Sequence, residues 1–166
     1  MAQTRELIST SVEDTQRFGE ELGKLLRPGD VVGLIGELGA GKTTMIQGLA
    51  AGLGIDPALV KSPTFVLQRE YPGRVPLIHI DGYRLEGQDS VIWLDLDLIF
   101  TRKHVTVIEW ANRFEGSLPD DYVELRLEHL KASQRRISAL AHGPRSQEIV
   151  AALSADPVKS ESGGLG

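Results

Sequence analysis

The 166-residue sequence contains no cysteine, which excludes disulfide bonds and thiolate metal sites. The absence of cysteine is typical of proteins from a reducing cytoplasm. No apolar run approaches the roughly 18 residues that are needed to cross a bilayer. Residues 1–10 also lack the apolar core of a secretory signal peptide. We therefore expect a soluble protein of the cytoplasm with no membrane attachment.

Basic residues are too few to balance the acidic ones. The sequence has 18 Lys and Arg against 23 Asp and Glu, which gives a net charge of −5. Proteins that bind nucleic acid on their own usually present a basic surface, because neutralising phosphates supplies much of the affinity. Independent binding to RNA or DNA is therefore disfavoured. The length and a hydrophobic content of 41% fit one domain, which we place at residues 1–154. A Ser- and Gly-rich tail at 155–166 is expected to be disordered.

Apolar periodicity predicts alternating strands and helices, and hence an α/β fold. Ser11 is a predicted N-cap of a first helix that ends near Leu26, and a second helix follows a glycine-rich loop and ends near Leu53. A third helix is predicted over residues 90–100. The predicted strands cover residues 6–9, 31–35, 65–71, 75–80, 105–109, 122–129 and 135–141. The last two alternate in polarity, which predicts an antiparallel extension of the sheet.

Residues 36–43 match the Walker A pattern, Gly-x4-Gly-Lys-Thr, and Thr44 follows it. Glycines let the backbone bring its N–H groups against phosphate oxygens, and the next helix points its positive end at them. Lys42 is expected to lie between the β- and γ-phosphates, Thr43 to bind Mg²⁺ and Thr44 to reach the α-phosphate. A buried strand before the loop and a helix after it distinguish this pattern from a simple glycine turn. The predicted ATP site comprises Gly36, Glu37, Leu38, Gly39, Ala40, Gly41, Lys42, Thr43 and Thr44.

Two predicted strands end in an acid, Asp81 in one case and Glu109 in the other. An apolar strand followed by a carboxylate is the Walker B arrangement, and such strand ends line the ligand crevice of an open α/β sheet. Taken alone, either acid is equally well explained as an ordinary residue at a strand end. Next to a Walker A loop, they become candidates for binding Mg²⁺ and for positioning water.

Other nucleotide-dependent activities lack their expected motifs. The guanine-binding pattern Asn-Lys-x-Asp is missing, since Asn112 is followed by Arg, Phe and Glu. A small-molecule kinase usually needs an Arg-rich lid, and the dense basic cluster at residues 102–104 is better explained as a solvated loop. A small-molecule or nucleoside kinase and a nucleotide-dependent binding switch remain the alternatives to an ATPase.

Four motifs in order resemble the TsaE family, the ATPase of bacterial threonylcarbamoyladenosine synthesis on tRNA. They are residues 36–44, Ser-Pro-Thr-Phe at 62–65, His79-x-Asp81-x-Tyr83-Arg84, and Ile108-Glu109-Trp110, and they span about 75 residues. The resemblance implies a single P-loop NTPase domain with a central sheet flanked by helices. It also implies slow Mg²⁺-dependent ATP hydrolysis in support of TsaB and TsaD type proteins, with tRNA contacted only through that complex.

The resemblance also assigns roles to individual residues. It implies that Glu109 and Thr43 hold Mg²⁺, that Asp81 lies near the γ-phosphate, and that Lys42, Asp81 and Glu109 are catalytic. Ser11 and Arg135 are implied as contacts of the base. The switch or partner candidates are Ser62, Pro63, Thr64, Phe65, His79, Tyr83, Arg84 and Trp110.

The residues themselves leave alternatives open for several of these roles. His79 and Trp110 also fit buried core positions, and Arg135 fits a solvated strand position. Residues 62–65 also fit a rigid turn that leads into a strand, and residues 83–84 fit an exposed surface. The chain departs from the family pattern at Glu37, where Asp is common, and at Asp97, where Gly is usual.

Overall fold

The computed structural model describes residues 4–37, 41–61, 68–81, 103–109 and 118–153. The strands are β1 (Thr4–Ser9), β2 (Val31–Gly36), β3 (Gln68–Tyr71), β4 (Leu77–Asp81), β5 (Val105–Glu109), β6 (Tyr122–His129) and β7 (Arg135–His142). The helices are α1 (Val12–Leu25), α2 (Lys42–Gly52) and α3 (Pro144–Ala152), with a 3₁₀ turn at Pro57–Leu59.

The described strands form one sheet in the order β1-β7-β6-β2-β5-β4-β3. At its centre β2 runs parallel to both β5 and β6, and β4 runs parallel to β5. At its edges β7 pairs antiparallel with β6 and β1, and β3 pairs antiparallel with β4. The predicted α/β class and the antiparallel extension are therefore confirmed. Parallel pairing also brings the carboxyl ends of β2, β4, β5 and β6 to the same edge of the sheet.

One face of the sheet carries the main apolar core. Alternation along the strands puts Val32 beside Val107, and Leu34 beside Leu125, on the same face. All four are buried in one cluster with residues of the three described helices. That cluster includes Leu22 of α1, Leu49 of α2 and Ile149 of α3. The helices therefore pack on this face and are held there by apolar burial.

Helices α1 and α2 touch through their backbones at glycines. A Cβ atom added at Gly19 would lie 2.6 Å from the carbonyl oxygen of Met45, and one at Gly48 would overlap the backbone of Gln16. A Cβ atom added at Gly23 or at Gly52 would likewise collide with the backbone of the other helix. Because only glycine lacks a Cβ, the four glycines allow an approach that any other residue would prevent. This contact fixes α2 against α1.

Sequence signals at the start of α1 and the end of α2 are confirmed. The Ser11 side chain accepts a hydrogen bond of 3.0 Å from the backbone N–H of Asp14, which is the predicted N-cap. Asp14 in turn accepts hydrogen bonds from the backbone N–H and the hydroxyl of Thr10. Helix α2 ends at Gly52, one residue before the predicted end, and Gly54 follows with a φ of 79°.

Helix α3 is not among the predicted elements. Its first turn is capped by Asp121, which accepts hydrogen bonds from the backbone N–H groups of Arg145 and Ser146 at 2.8 and 2.9 Å. Two signals in the sequence would have revealed it: Pro144 at the first helical position, and apolar residues at positions 149, 150 and 153.

Some predictions fall outside the described residues. These are the start of the strand at 65–71, the helix at 90–100 and the tail at 155–166. Within the described residues, no helix is long and apolar enough to cross a membrane.

Replacing Gly48 by alanine tests the contact between α1 and α2. Alanine is the better helix former by about 1 kcal/mol, but its Cβ would collide with the Gln16 backbone. We expect Gly48→Ala to lower the free energy of unfolding by about 2–3 kcal/mol in denaturant titrations. Lys24→Ala, an exposed substitution on α1, is the control and should change stability by no more than about 0.5 kcal/mol. A Gly48→Ala protein as stable as the control would contradict the tight contact.

Candidate nucleotide-binding site

The two acids predicted from the strand ends are neighbours. Asp81 ends β4 and pairs with Glu109 at the end of β5, so both side chains leave the same face of the sheet. Glu109 is also in register with Leu34 of β2, which places that face beneath the helices. Both acids are buried, with 6% of Asp81 and 3% of Glu109 exposed. Two adjacent buried carboxylates need positive charge or hydrogen-bond donors nearby.

The glycine-rich segment connects the end of β2 to the start of α2. Gly41 is the N-cap of α2 and has a φ of 101°, in the left-handed region that favours glycine. Since Gly41 has no side chain, the cap leaves the first N–H groups of the helix to other partners. Residues 38–40, the centre of the segment, lie outside the described residues. Helix N-termini with such N–H groups attract anions.

Lys42, the first residue of α2, brings a buried cation to this edge. Its Nζ donates hydrogen bonds to the carbonyl oxygens of Gly36 at 2.6 Å and Glu37 at 2.9 Å. Burial lowers the pKa of the Lys42 ammonium below its ordinary value, while the carboxylates of Glu109, Asp81 and Glu37 act in the opposite direction. The ammonium and the two strand-end acids therefore interact electrostatically in one buried site.

His79 lies in the same site, and its contact with Glu109 is not predicted from the sequence. Its Nε2 is 2.6 Å from Oε2 of Glu109, and the ring is completely buried. Within the described residues, the other ring nitrogen, Nδ1, has no hydrogen-bond partner. The expectation of a buried histidine is thus correct for its burial, but the described residues supply a partner for one of the two nitrogens only. The spacing in His79-x-Asp81 was the available signal, since residues two apart in a strand share a face.

The two candidates for contacting the base lie at the same edge. Arg135 starts β7, opposite Ser9 at the end of β1, and its Nε is 4.0 Å from the Cβ position of Gly41. Its Nη1 donates to the carbonyl oxygens of Ala132 and Gln134, so the side chain is held beside the glycine-rich segment. The hydroxyl of Ser11 accepts the capping hydrogen bond of α1. Contact of either residue with a base stays a prediction.

The donors at this edge fit Mg²⁺ bound together with phosphates. Among the described residues, no group of three or more His, Asp or Glu side chains could hold a metal ion. Mg²⁺ needs no such group, because it is usually held by one or two carboxylates, substrate phosphates and water. Glu109 can supply the carboxylate, and Thr43 offers a hydroxyl from the first turn of α2.

Of the remaining predicted site residues, one lies in α2 and the others lie outside the described residues. Thr44 follows Thr43 in α2. Outside the described residues lie Leu38, Gly39, Ala40, Ser62, Pro63, Thr64, Phe65, Tyr83, Arg84 and Trp110.

Comparison with known proteins assigns the chain to a family. Residues 9–137 match the family model described as threonylcarbamoyl adenosine biosynthesis protein TsaE. The chain is 38% identical to the tRNA threonylcarbamoyladenosine biosynthesis protein TsaE of Bacillus subtilis, over 86% of this chain and 89% of that protein. It is 40% identical to the protein of the same name from Treponema pallidum, over 79% of this chain and 96% of that protein.

A solved structure agrees with the sequence comparison. The crystal structure of Bacillus subtilis YdiB superposes with a TM-score of 0.78 at 30% identity, and the match covers 92% of this chain and 95% of that one. The predicted resemblance is therefore confirmed, and the chain belongs to the TsaE family of tRNA-modification proteins.

Proposed function

We propose that this protein binds ATP with Mg²⁺ and hydrolyses it slowly, in support of threonylcarbamoyladenosine formation on tRNA by a partner complex. The proposal rests on one observation: three charged side chains lie together at the N-terminus of α2, those of Lys42, Asp81 and Glu109. A cation, two carboxylates and a helix terminus at one sheet edge are what a phosphoryl-transfer site requires.

Lys42 and the start of α2 bind the phosphates in this proposal. The ammonium, which donates to two loop carbonyls, forms stronger charge-assisted hydrogen bonds with phosphate oxygens than with neutral acceptors. The N–H groups that follow Gly41 add donors aimed along the helix axis. These groups orient the triphosphate and stabilise the charge that develops on it in the transition state.

Glu109 and Asp81 have different tasks. Glu109, together with the Thr43 hydroxyl, would hold Mg²⁺, and Asp81 would orient the attacking water. When bound, Mg²⁺ neutralises charge on the phosphate oxygens. Burial of both carboxylates excludes bulk water and strengthens their interaction with nearby cations.

The pathway is proposed from the names of the relatives, which are tRNA threonylcarbamoyladenosine biosynthesis proteins. TsaB and TsaD type proteins are the proposed partners, and tRNA is contacted only through them. The net charge of −5 supports action through proteins, because an acidic chain gains little from phosphate neutralisation.

Removing the Lys42 ammonium tests the nucleotide site. Lys42→Ala should reduce phosphate release from ATP by about 100-fold or more, because a charge aimed at the transition state is lost. Lys24→Ala, which removes an exposed ammonium at the far end of α1, is the charge-matched control and should retain full activity. A folded Lys42→Ala protein with unchanged phosphate release would show that this loop does not serve ATP hydrolysis.

Isosteric replacement separates the tasks of the two acids without opening cavities. Glu109→Gln should weaken nucleotide binding in Mg²⁺ by about 10-fold or more, and should have little effect in EDTA. Asp81→Asn should keep the affinity for Mg²⁺–nucleotide and lower turnover, because a water-orienting group acts mainly in the transition state. Calorimetric titrations and single-turnover assays measure the two effects. Weaker Mg²⁺-dependent binding in Asp81→Asn, with unchanged binding in Glu109→Gln, would mean that Asp81 holds Mg²⁺ and Glu109 orients the water.

Coupling to the partner complex is tested by affinity measurements. Titrations of a TsaB–TsaD pair are made with ADP, with a non-hydrolysable ATP analogue and without nucleotide. We expect the ATP analogue to strengthen partner binding by about 10-fold, and the partners to strengthen binding of the analogue by the same factor, because the coupling of two binding sites is reciprocal. The partners should also accelerate hydrolysis, since P-loop proteins turn ATP over slowly when part of the catalytic arrangement comes from elsewhere. Equal affinity in all three states with an unstimulated ATPase would contradict the coupling. Transfer of labelled phosphate from ATP to a metabolite would identify a kinase instead.

A further inference from the structure

His79 is a polar side chain in an apolar position of the sheet. It lies at the centre of β4, pairs with Val107 of β5, and follows the Leu77–Val105 pair on the same face. None of its surface is exposed to solvent. An aliphatic side chain would suit such a position better, since burying a polar group is unfavourable unless its hydrogen bonds are made. The hydrogen bonds of the imidazole ring therefore have to explain why a histidine occupies this position.

The hydrogen bond to Glu109 determines which ring nitrogen of His79 carries a proton. A carboxylate oxygen only accepts, so the proton lies on Nε2, which is 2.6 Å from Oε2 of Glu109. Nδ1, which is an acceptor in the neutral ring, has no partner among the described residues. Within the described part of the chain, one ring nitrogen therefore contacts Glu109 and the other has no hydrogen-bond partner.

We propose that His79 is a positioning residue of the metal site. By fixing Oε2 of Glu109, it fixes the plane of the carboxylate and therefore the direction of Oε1, the oxygen left to bind the metal. This inference rests on the proposed function, in which Glu109 is a ligand of Mg²⁺. Groups that orient a metal-binding side chain typically change metal affinity by 10- to 100-fold when removed.

A second His–Glu contact in the same sheet provides a matched control. Nε2 of His142 is 2.8 Å from Oε1 of the buried Glu124. This pair lies at the start of β6 and the end of β7, away from the edge that carries the nucleotide site. The His142 side chain is 40% exposed and stacks on Tyr122. Loss of this histidine removes the same kind of hydrogen bond without touching Glu109.

The variants are chosen by where they place a donor. The side-chain nitrogen of His79→Gln reaches the region of Nε2, whereas that of His79→Asn corresponds to Nδ1 and stops short of Glu109. His79→Leu removes the donor and keeps the bulk. Each is measured for Mn²⁺ affinity, by electron paramagnetic resonance with a bound non-hydrolysable ATP analogue, and for affinity for the analogue in EDTA.

We expect His79→Leu and His79→Asn to weaken Mn²⁺ binding by about 10- to 100-fold, and His79→Gln to remain within about 3-fold of the wild type. Affinity for the analogue in EDTA should change by less than about 2-fold in all of them. His142→Leu should leave both values unchanged. If His79→Leu does not fold, the contrast between the Asn and Gln variants alone decides the question.

Two results would overturn the inference while leaving the proposed function intact. One is unchanged Mn²⁺ affinity in a folded variant that lacks the donor. The other is equal weakening by Gln, Asn and Leu, which would assign the effect to the shape of the ring. Absence of metal-dependent nucleotide binding in the wild type would instead overturn the proposed function together with this inference.

Discussion

The pairing of Asp81 with Glu109 across two parallel strands is the constraint around which this edge of the fold is organised. Parallel register fixes the two carboxylates on one face, and burial denies them water. Both acids are therefore stable as anions only if cations or hydrogen-bond donors lie close to them. Lys42 approaches from the start of α2, and His79 supplies a donor to Glu109 from within the sheet.

The position of α2 decides whether this compensation is possible. Lys42 reaches the acids only because the helix begins directly after the glycine-rich segment and is pressed against α1 through glycines. A helix that slid or rotated would move the ammonium away from both carboxylates. Apolar packing of α1 and α2 on the sheet and the tight backbone contact between them thus serve the charged site as well as stability. Contacts between uncharged groups thus hold the ionic groups of the site in place.

Sequence reasoning predicted the strands, the cap at Ser11 and the two acids, because each depends on local pattern. A buried strand such as β5 reads as a short apolar run, and β6 reads as strict alternation. Helix α3 was not predicted although Pro144 and the apolar residues near its end mark it, and the side chain that caps its first turn, Asp121, is distant in sequence. The contact between His79 and Glu109 joins residues 30 positions apart. It depends on the register of β4 and β5, which periodicity does not encode.

The two ends of the sheet differ in how their charges are balanced. At the end away from the nucleotide site, Arg145 donates to Asp30 and to the Leu25 carbonyl, and the pKa of Arg145 is raised mainly by the hydrogen bonds to Asp30. At the candidate nucleotide edge, burial is the largest influence on the Lys42 ammonium and lowers its pKa despite three nearby carboxylates. A polyphosphate bound there would add negative charge beside the ammonium and favour its charged form, so that protonation of Lys42 and phosphate binding reinforce each other. A charged ligand at this edge would therefore interact directly with a buried ammonium.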